Sequence, residues 1–149
     1  MAISKYLDER LVVFLEVEER NRAIQEMVDL LDRVGKLPDP PAFHRAILER
    51  EKIVSTGIGM GVAVPHAKLE GYTDFFIAIG IQEKKGIEWQ ALDSAPVHLV
   101  FMIGGPEKSQ AEYLHLLSDL TTAVKDPERR KKLLRTTRPQ QVIQLFEGC

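Results

Sequence analysis

The sequence predicts an α/β fold, a mixed parallel and antiparallel β-sheet sandwiched between helices on both faces. Three observations predict it. Helical apolar spacing fills the beginning and the end of the chain. Between them, residues 75–81 and 97–103 are apolar at alternate and intervening positions, as strands covered on both faces must be. The 149 residues show no internal repeat, no low-complexity stretch and no long linker, so one domain is expected over residues 1–149.

The elements follow in order. Residues 11–15 (Leu-Val-Val-Phe-Leu) read as a short buried strand. Residues 18–34 carry Ala23, Ile24, Met27, Val28, Leu30, Leu31 and Val34 at helical spacing, and Gly35 suits the position just past the helix end. A Pro-rich turn leads to a second helix over residues 41–52, with Phe43, Ala46, Ile47 and Leu48 facing inward. A glycine-rich loop then runs into a strand at Val62-Ala63-Val64, which is expected to end in Pro65-His66. After the strand at 75–81, Ile87-Glu88-Trp89 is a weaker strand and Asp93-Ser94-Ala95-Pro96 a turn. Ser109 and Glu112 have the spacing of a capping box opening a helix to about residue 125. Asp126-Pro127 starts a short basic helix, and residues 139–146 form the last one.

Composition narrows the function. Hydrophobic residues make up 44% and charged residues 28%, with a net charge of -2, which gives no basic surplus for nucleic acid or an anionic membrane. The single cysteine, Cys149, excludes an intrachain disulfide and a cysteine-based zinc site. Residues 1–10 show no signal-peptide h-region, and no apolar run approaches the ~20 residues that span a bilayer. A cytoplasmic location without membrane insertion is expected.

The chemistry is concentrated in Ser55-Thr56-Gly57-Ile58-Gly59-Met60-Gly61-Val62-Ala63-Val64-Pro65-His66. Glycines at alternate positions let the backbone turn and leave amides uncovered, and proline fixes the chain direction before the histidine. Neutral imidazole is a good nucleophile toward phosphorus near pH 7, and amides can hold the phosphoryl oxygens. The alternative is a polar residue at a strand end. A metal role finds no further ligands in the local sequence. The glycines are mis-spaced for a dinucleotide fingerprint, and the loop precedes a strand rather than a helix.

His115 lies opposite the apolar arc of its helix, which includes Tyr113, Leu114, Leu116, Leu117 and Leu120. It is either a solvated residue or a second imidazole near the phosphoryl site. Arg50 suits a phosphate, or else the end of its helix or the flanking Glu49 and Glu51. His44 reads as structural or solvated, and His98 as structural rather than catalytic. The run Arg129-Arg130-Lys131-Lys132 reads as a solvated helix face, with a basic docking patch as the alternative.

Arg50-Glu51 followed by the stretch from Ser55 to His66 resembles the signature of enzyme IIA domains of the fructose/mannitol/nitrogen type. These belong to the bacterial phosphoenolpyruvate-dependent phosphotransferase system (PTS). Downstream, Asp93-Ser94-Ala95-Pro96-Val97 resembles the family's "D-x-x-P-V" entry into a central strand. Tyr113-Leu114-His115-Leu116-Leu117-Ser118 resembles its "H-L-x-x-L-S" helix, and the likeness covers nearly the whole chain. The resemblance implies His66 as the phosphorylated histidine, His115 as the second active-site histidine and Arg50 as the active-site arginine. Phosphate contacts are then expected at Arg50, Ser55, Thr56 and Gly57, with no cofactor. It implies an HPr-like phosphocarrier as donor, and a IIB domain or regulated target proteins as outlet. The absence of fused IIB or IIC portions and the Lys68-Leu69-Glu70 run lean toward the nitrogen-type branch. Met60, where asparagine is common, and Ala67, where glycine is common, depart from the pattern. Ala67 then requires a backbone conformation that admits a Cβ.

Overall fold

The computed structural model describes residues 3–149; positions 1 and 2 of the expected domain lie outside the described residues. Six strands form one mixed sheet: β1 (Val12–Phe14), β2 (Gly57–Gly59), β3 (Val62–Ala63), β4 (His66–Leu69), β5 (Phe76–Ile81) and β6 (Leu99–Pro106). Their order is β1-β5-β6-β3-β2, with β4 also paired to β6. β1 is parallel to β5, β5 antiparallel to β6, β6 parallel to both β3 and β4, and β2 antiparallel to β3.

Both faces of the sheet are covered, as the unbroken apolar runs require. On β5, Ile77, Ile79 and Ile81 point to one core while Phe76 and Ala78 point to the other. On β6, Leu99, Phe101 and Ile103 alternate in the same way with Val100 and Met102. The first core is closed by α3 (Gln110–Val124), α4 (Pro127–Leu134) and α5 (Pro139–Gln144). The second is closed by α1 (Arg20–Arg33) and α2 (Pro40–Ile53).

The helix ends follow local chemistry. Gly35, with φ +84°, donates to the Asp32 carbonyl while Lys36 donates to that of Leu31, so the last carbonyls of α1 are satisfied by a left-handed cap. Asp39 accepts from the Ala42 amide at the start of α2, and Asp126 from the Glu128 amide at the start of α4.

Four expectations are corrected. Ser109 makes no side-chain cap, and the Glu112 carboxylate accepts from the Tyr6 hydroxyl at 2.7 Å instead of reaching back to the helix start. Leu114, placed on the apolar arc, is 53% exposed. Ile87 to Trp89 gives only isolated bridges, Ile87 to Val97 and Glu88 to Glu19. The glycine-rich stretch is not an open loop but a tight hairpin, β2–β3, turning through Met60 (φ 61°) and Gly61 (φ 72°), and β2 is bulged between Gly57 and Gly59.

The strand also does not end at His66. Val62 lies opposite Leu99 and His66 opposite Ile103, so β3 and β4 run along β6 in one unbroken register. Pro65 has no N–H to give and interrupts the ladder, but its carbonyl still accepts from Ile103. His66 therefore stands where the strand resumes after Pro65, held by β6 on one side.

Candidate functional site

His66 opens into a cleft of about 360 Å³ whose lining includes Arg50, Ser55, Thr56, Ile58, Met60, Val64, Tyr113, Leu117, Thr121 and Lys125. A larger concavity, about 580 Å³, is lined by Glu18 and by residues between 85 and 96 and holds no histidine.

The ring of His66 is half-buried, and its Nδ1 lies 3.1 Å from the Val64 carbonyl. A carbonyl can only accept, so Nδ1 carries the proton in this contact. The neutral ring then keeps its lone pair on Nε2. Burial holds the imidazole below its ordinary pKa, and the charges of Arg50 and Lys68 push the same way; the Val64 bond and Glu51 oppose them. The result favours a neutral, nucleophilic ring at neutral pH.

Tyr113 packs against this ring with centroids 5.5 Å apart and planes inclined by 41°. Its phenol is pushed up by burial and drawn back by Arg50, which places the guanidinium charge close by. Lys68 sits over the same Tyr113 ring, its Nζ 4.2 Å from the ring centre and bonded to the Gln110 side chain. Arg50 donates to the Val54 carbonyl at 2.9 Å from the end of α2.

His115 is not brought to this cleft. It is exposed, and Tyr113, Leu117 and Thr121 form the cleft stripe of α3. Two residues along a helix turn the side chain by ~200°, which sends His115 to the opposite side. The sequence held the signal: read letter by letter, the histidine of "H-L-x-x-L-S" coincides with Tyr113, with Leu114, Leu117 and Ser118 filling the other fixed places.

The structure places the four expected phosphate contacts unequally. Arg50, Ser55 and Thr56 do line the cleft, and Gly57 does not. The Thr56 amide donates to the Glu51 carboxylate at 3.1 and 3.3 Å, and the Gly57 amide to Ser55 Oγ at 3.1 Å, so these two amides are already engaged. A Cβ on Gly57 would meet the Cβ of Ala91 at 2.6 Å, so this glycine is needed for close packing. Donors left for an anion are Arg50, the Ser55 and Tyr113 hydroxyls, and Lys125 at the rim.

Sequence reasoning missed Glu51. It reads as an ion-pair partner for Arg50 but is only 4% exposed and turns inward. It accepts from Thr56 Oγ1 at 2.6 Å and Trp89 Nε1 at 2.7 Å besides the Thr56 amide. The basic run on α4 is partly tied down: Arg129 bonds the Ala123 and Leu145 carbonyls, and Arg130 bonds the Val124 carbonyl and reaches Met60 Sδ at 3.5 Å. His98 is structural, its Nδ1 2.8 Å from the Gln82 carbonyl.

Residues 5–149 match the family described as "Phosphoenolpyruvate-dependent sugar phosphotransferase system, EIIA 2". The chain is 42% identical over 132 residues to the PTS system fructose-specific EIIABC component of Bacillus subtilis, covering 89% of this chain but 21% of that protein. It is 32% identical over 129 residues to the nitrogen regulatory protein of Escherichia coli, covering 87% of this chain and 78% of that one. The structure of nitrogen regulatory protein IIA-Ntr from Neisseria meningitidis superposes with a TM-score of 0.88 at 28% identity, over 97% of this chain and 98% of that one. IIA mannitol from Escherichia coli shares the fold, with a TM-score of 0.78 at 22% identity over 93% and 97% of the two chains.

Proposed function

Since the chain belongs to the EIIA type 2 family of the phosphoenolpyruvate-dependent sugar phosphotransferase system, we propose that it is a cytoplasmic phosphohistidine relay protein with His66 as acceptor. The observation that carries this reading is the Val64 carbonyl on His66 Nδ1, which leaves Nε2 as the nucleophilic nitrogen on a cleft lined by Arg50.

The donor is an HPr-like phosphocarrier bearing its own phosphohistidine. His66 Nε2 attacks phosphorus in line, the N–P bond to the donor breaks, and the donor nitrogen takes back the electron pair. No proton need leave His66, since its only N–H stays on Nδ1 against Val64. Arg50 and the hydroxyls of Tyr113 and Ser55 donate to the equatorial oxygens as charge spreads over them. His115 has no part in this set.

The outlet is a IIB domain in the sugar-transport reading, which the fructose-specific likeness at 42% identity favours. A mannitol IIA of the same fold has been solved in complex with phosphorylated enzyme IIB. The second reading, a nitrogen-type regulator whose partner choice switches with phosphorylation, is favoured by the IIA-Ntr structure.

Incubation with phosphoenolpyruvate, enzyme I and the phosphocarrier is expected to leave one acid-labile, base-stable phosphate on the wild type and none on His66→Ala. Equal labelling of both would falsify the assignment. Adding a purified fructose-type IIB then separates the outlets, since a relay is drained by it and a regulator keeps its label.

A further inference from the structure

We infer that Glu51 is a positioning residue for phosphoryl transfer, setting the tautomer and angle of the His66 ring through Thr56 and Val64. The inference rests on His66 being the acceptor and adds how that nitrogen is kept available. Glu51 sits in the last turn of α2 with its carboxylate buried, at 4% exposure, and aimed at the start of the β2–β3 hairpin. Three donors converge on it: the Thr56 amide, the Thr56 hydroxyl and the indole N–H of Trp89, itself fully buried.

The bonds then continue in one direction toward the active nitrogen. The Thr56 carbonyl accepts from the Val64 amide at 3.0 Å. The Val64 carbonyl accepts from His66 Nδ1 at 3.1 Å. Each link passes from one peptide group to the next across a Cα, so the coupling is positional: fixing Thr56 from behind fixes the Val64 carbonyl against the imidazole. A carboxylate suits the first position because it only accepts, and all three groups facing it only need an acceptor. Solvation of a helix end does not explain it, since the side chain turns away from water. Pairing with the adjacent Arg50 does not explain it either, because that guanidinium bonds the Val54 carbonyl.

Glu51→Gln is the sharpest probe, since it keeps the size and turns one accepting oxygen into an N–H₂ that opposes the existing donors. Nitrogen NMR shifts of His66 report which ring nitrogen carries the proton, a quantity that loss of packing elsewhere does not move. Single-turnover transfer from the phosphorylated carrier reports rate and donor affinity separately. The expected result is a fall in the Nδ1–H population, a transfer rate lower on the order of tenfold, as small misplacements of a reacting group produce, and an unchanged concentration dependence on the carrier. A folded Glu51→Gln protein with the wild-type tautomer, whether its rate is kept or lost, overturns the inference.

Thr56→Val and Thr56→Ser keep the test decisive if the glutamine variant does not fold. Valine removes one donor to Glu51 and should reproduce the tautomer shift in smaller measure, while serine restores the hydroxyl and should behave as wild type. Equal tautomer populations in the two again overturn it. Failure of the wild type to accept phosphate at all strikes the acceptor reading instead, and is recognised because the tautomer shift between wild type and variant persists.

Discussion

Two stretches flank Pro65, and they hold His66 by different means. On the C-terminal side, β4 is an ordinary strand: Ala67 is buried, extended and opposite Gly104 on β6. On the N-terminal side, the β2–β3 hairpin is braced by side chains, with Glu51 on Thr56 and Ser55 on Gly57, and it turns through a methionine at φ 61°. One side is positioned by backbone pairing and burial, the other by a few side-chain hydrogen bonds around a strained turn. Backbone pairing supplies rigidity, and the braced hairpin supplies the wall of the cleft. The two departures from the family pattern fall one on each side, so their effects should differ in sign.

The strand side breaks hardest. Ala67→Asp places a carboxylate against the α2 face of the sheet with no partner, and an uncompensated buried charge costs about 3–5 kcal/mol. Urea denaturation should show a loss of that size; a loss below about 1 kcal/mol would mean that β4 is less firmly docked than its pairing indicates.

On the cleft side the effect is on rate rather than stability. Tyr113→Phe keeps the ring that packs on His66 and removes the hydroxyl beside Arg50. Transfer to His66 should slow by about tenfold, less than the loss of a fully enclosed oxyanion donor because this cleft is open to water. His115→Ala should transfer at the wild-type rate. A larger effect from His115 than from Tyr113 would reverse the assignment.

The pH dependence sharpens the same contrast. In the unfolded chain His66 titrates near about 6.5, and in the folded protein burial and two nearby cations hold it lower. Between those two values the unfolded chain binds a proton that the folded one does not. Stability from this group is therefore complete above about pH 6.5 and falls as pH drops toward the folded value. His66→Gln should remove that part of the acid slope in denaturation curves. Phosphoryl acceptance in single turnover should persist below pH 6.5 and fail only at the lower, folded midpoint.

The sheet and its helical layers were legible because burial on both faces leaves continuous apolar runs at 75–81 and 97–103, and caps such as Gly35 and Asp126 act locally. His66 and Arg50, which the structure brings to one cleft, were singled out by the motif stretch. The remainder of the site depends on contacts between residues far apart in sequence. Nothing local distinguishes Glu51 from a surface glutamate, since its partner Trp89 arrives only when residues 87–91 pack beneath α2. Tyr113 was obscured by a neighbouring histidine, although helical periodicity alone put Leu117 and Thr121 on its stripe. Glu112 failed as a cap for the same long-range reason, a tyrosine hydroxyl supplied from residue 6.

The smallest effects are those of restoring the family residues, and they are the most specific test of the contrast. At Met60 the left-handed backbone costs a side-chain-bearing residue roughly 1–2 kcal/mol, and asparagine bears that conformation more easily. Met60→Asn should therefore stabilise by about 0.5–1 kcal/mol, raising Tm by roughly 1–4 °C for a chain of this size. The lost contact with Arg130 is at the protein surface and offsets little of this, since Met60 is 40% exposed. At Ala67 the backbone is extended and the side chain is covered, so glycine gains no access to a needed conformation and loses both packing and chain stiffness. Ala67→Gly should destabilise by about 0.5–1 kcal/mol. Calorimetry on the two single variants decides the matter: opposite signs are expected, and a shared sign would mean that the hairpin and β4 are held by the same forces after all.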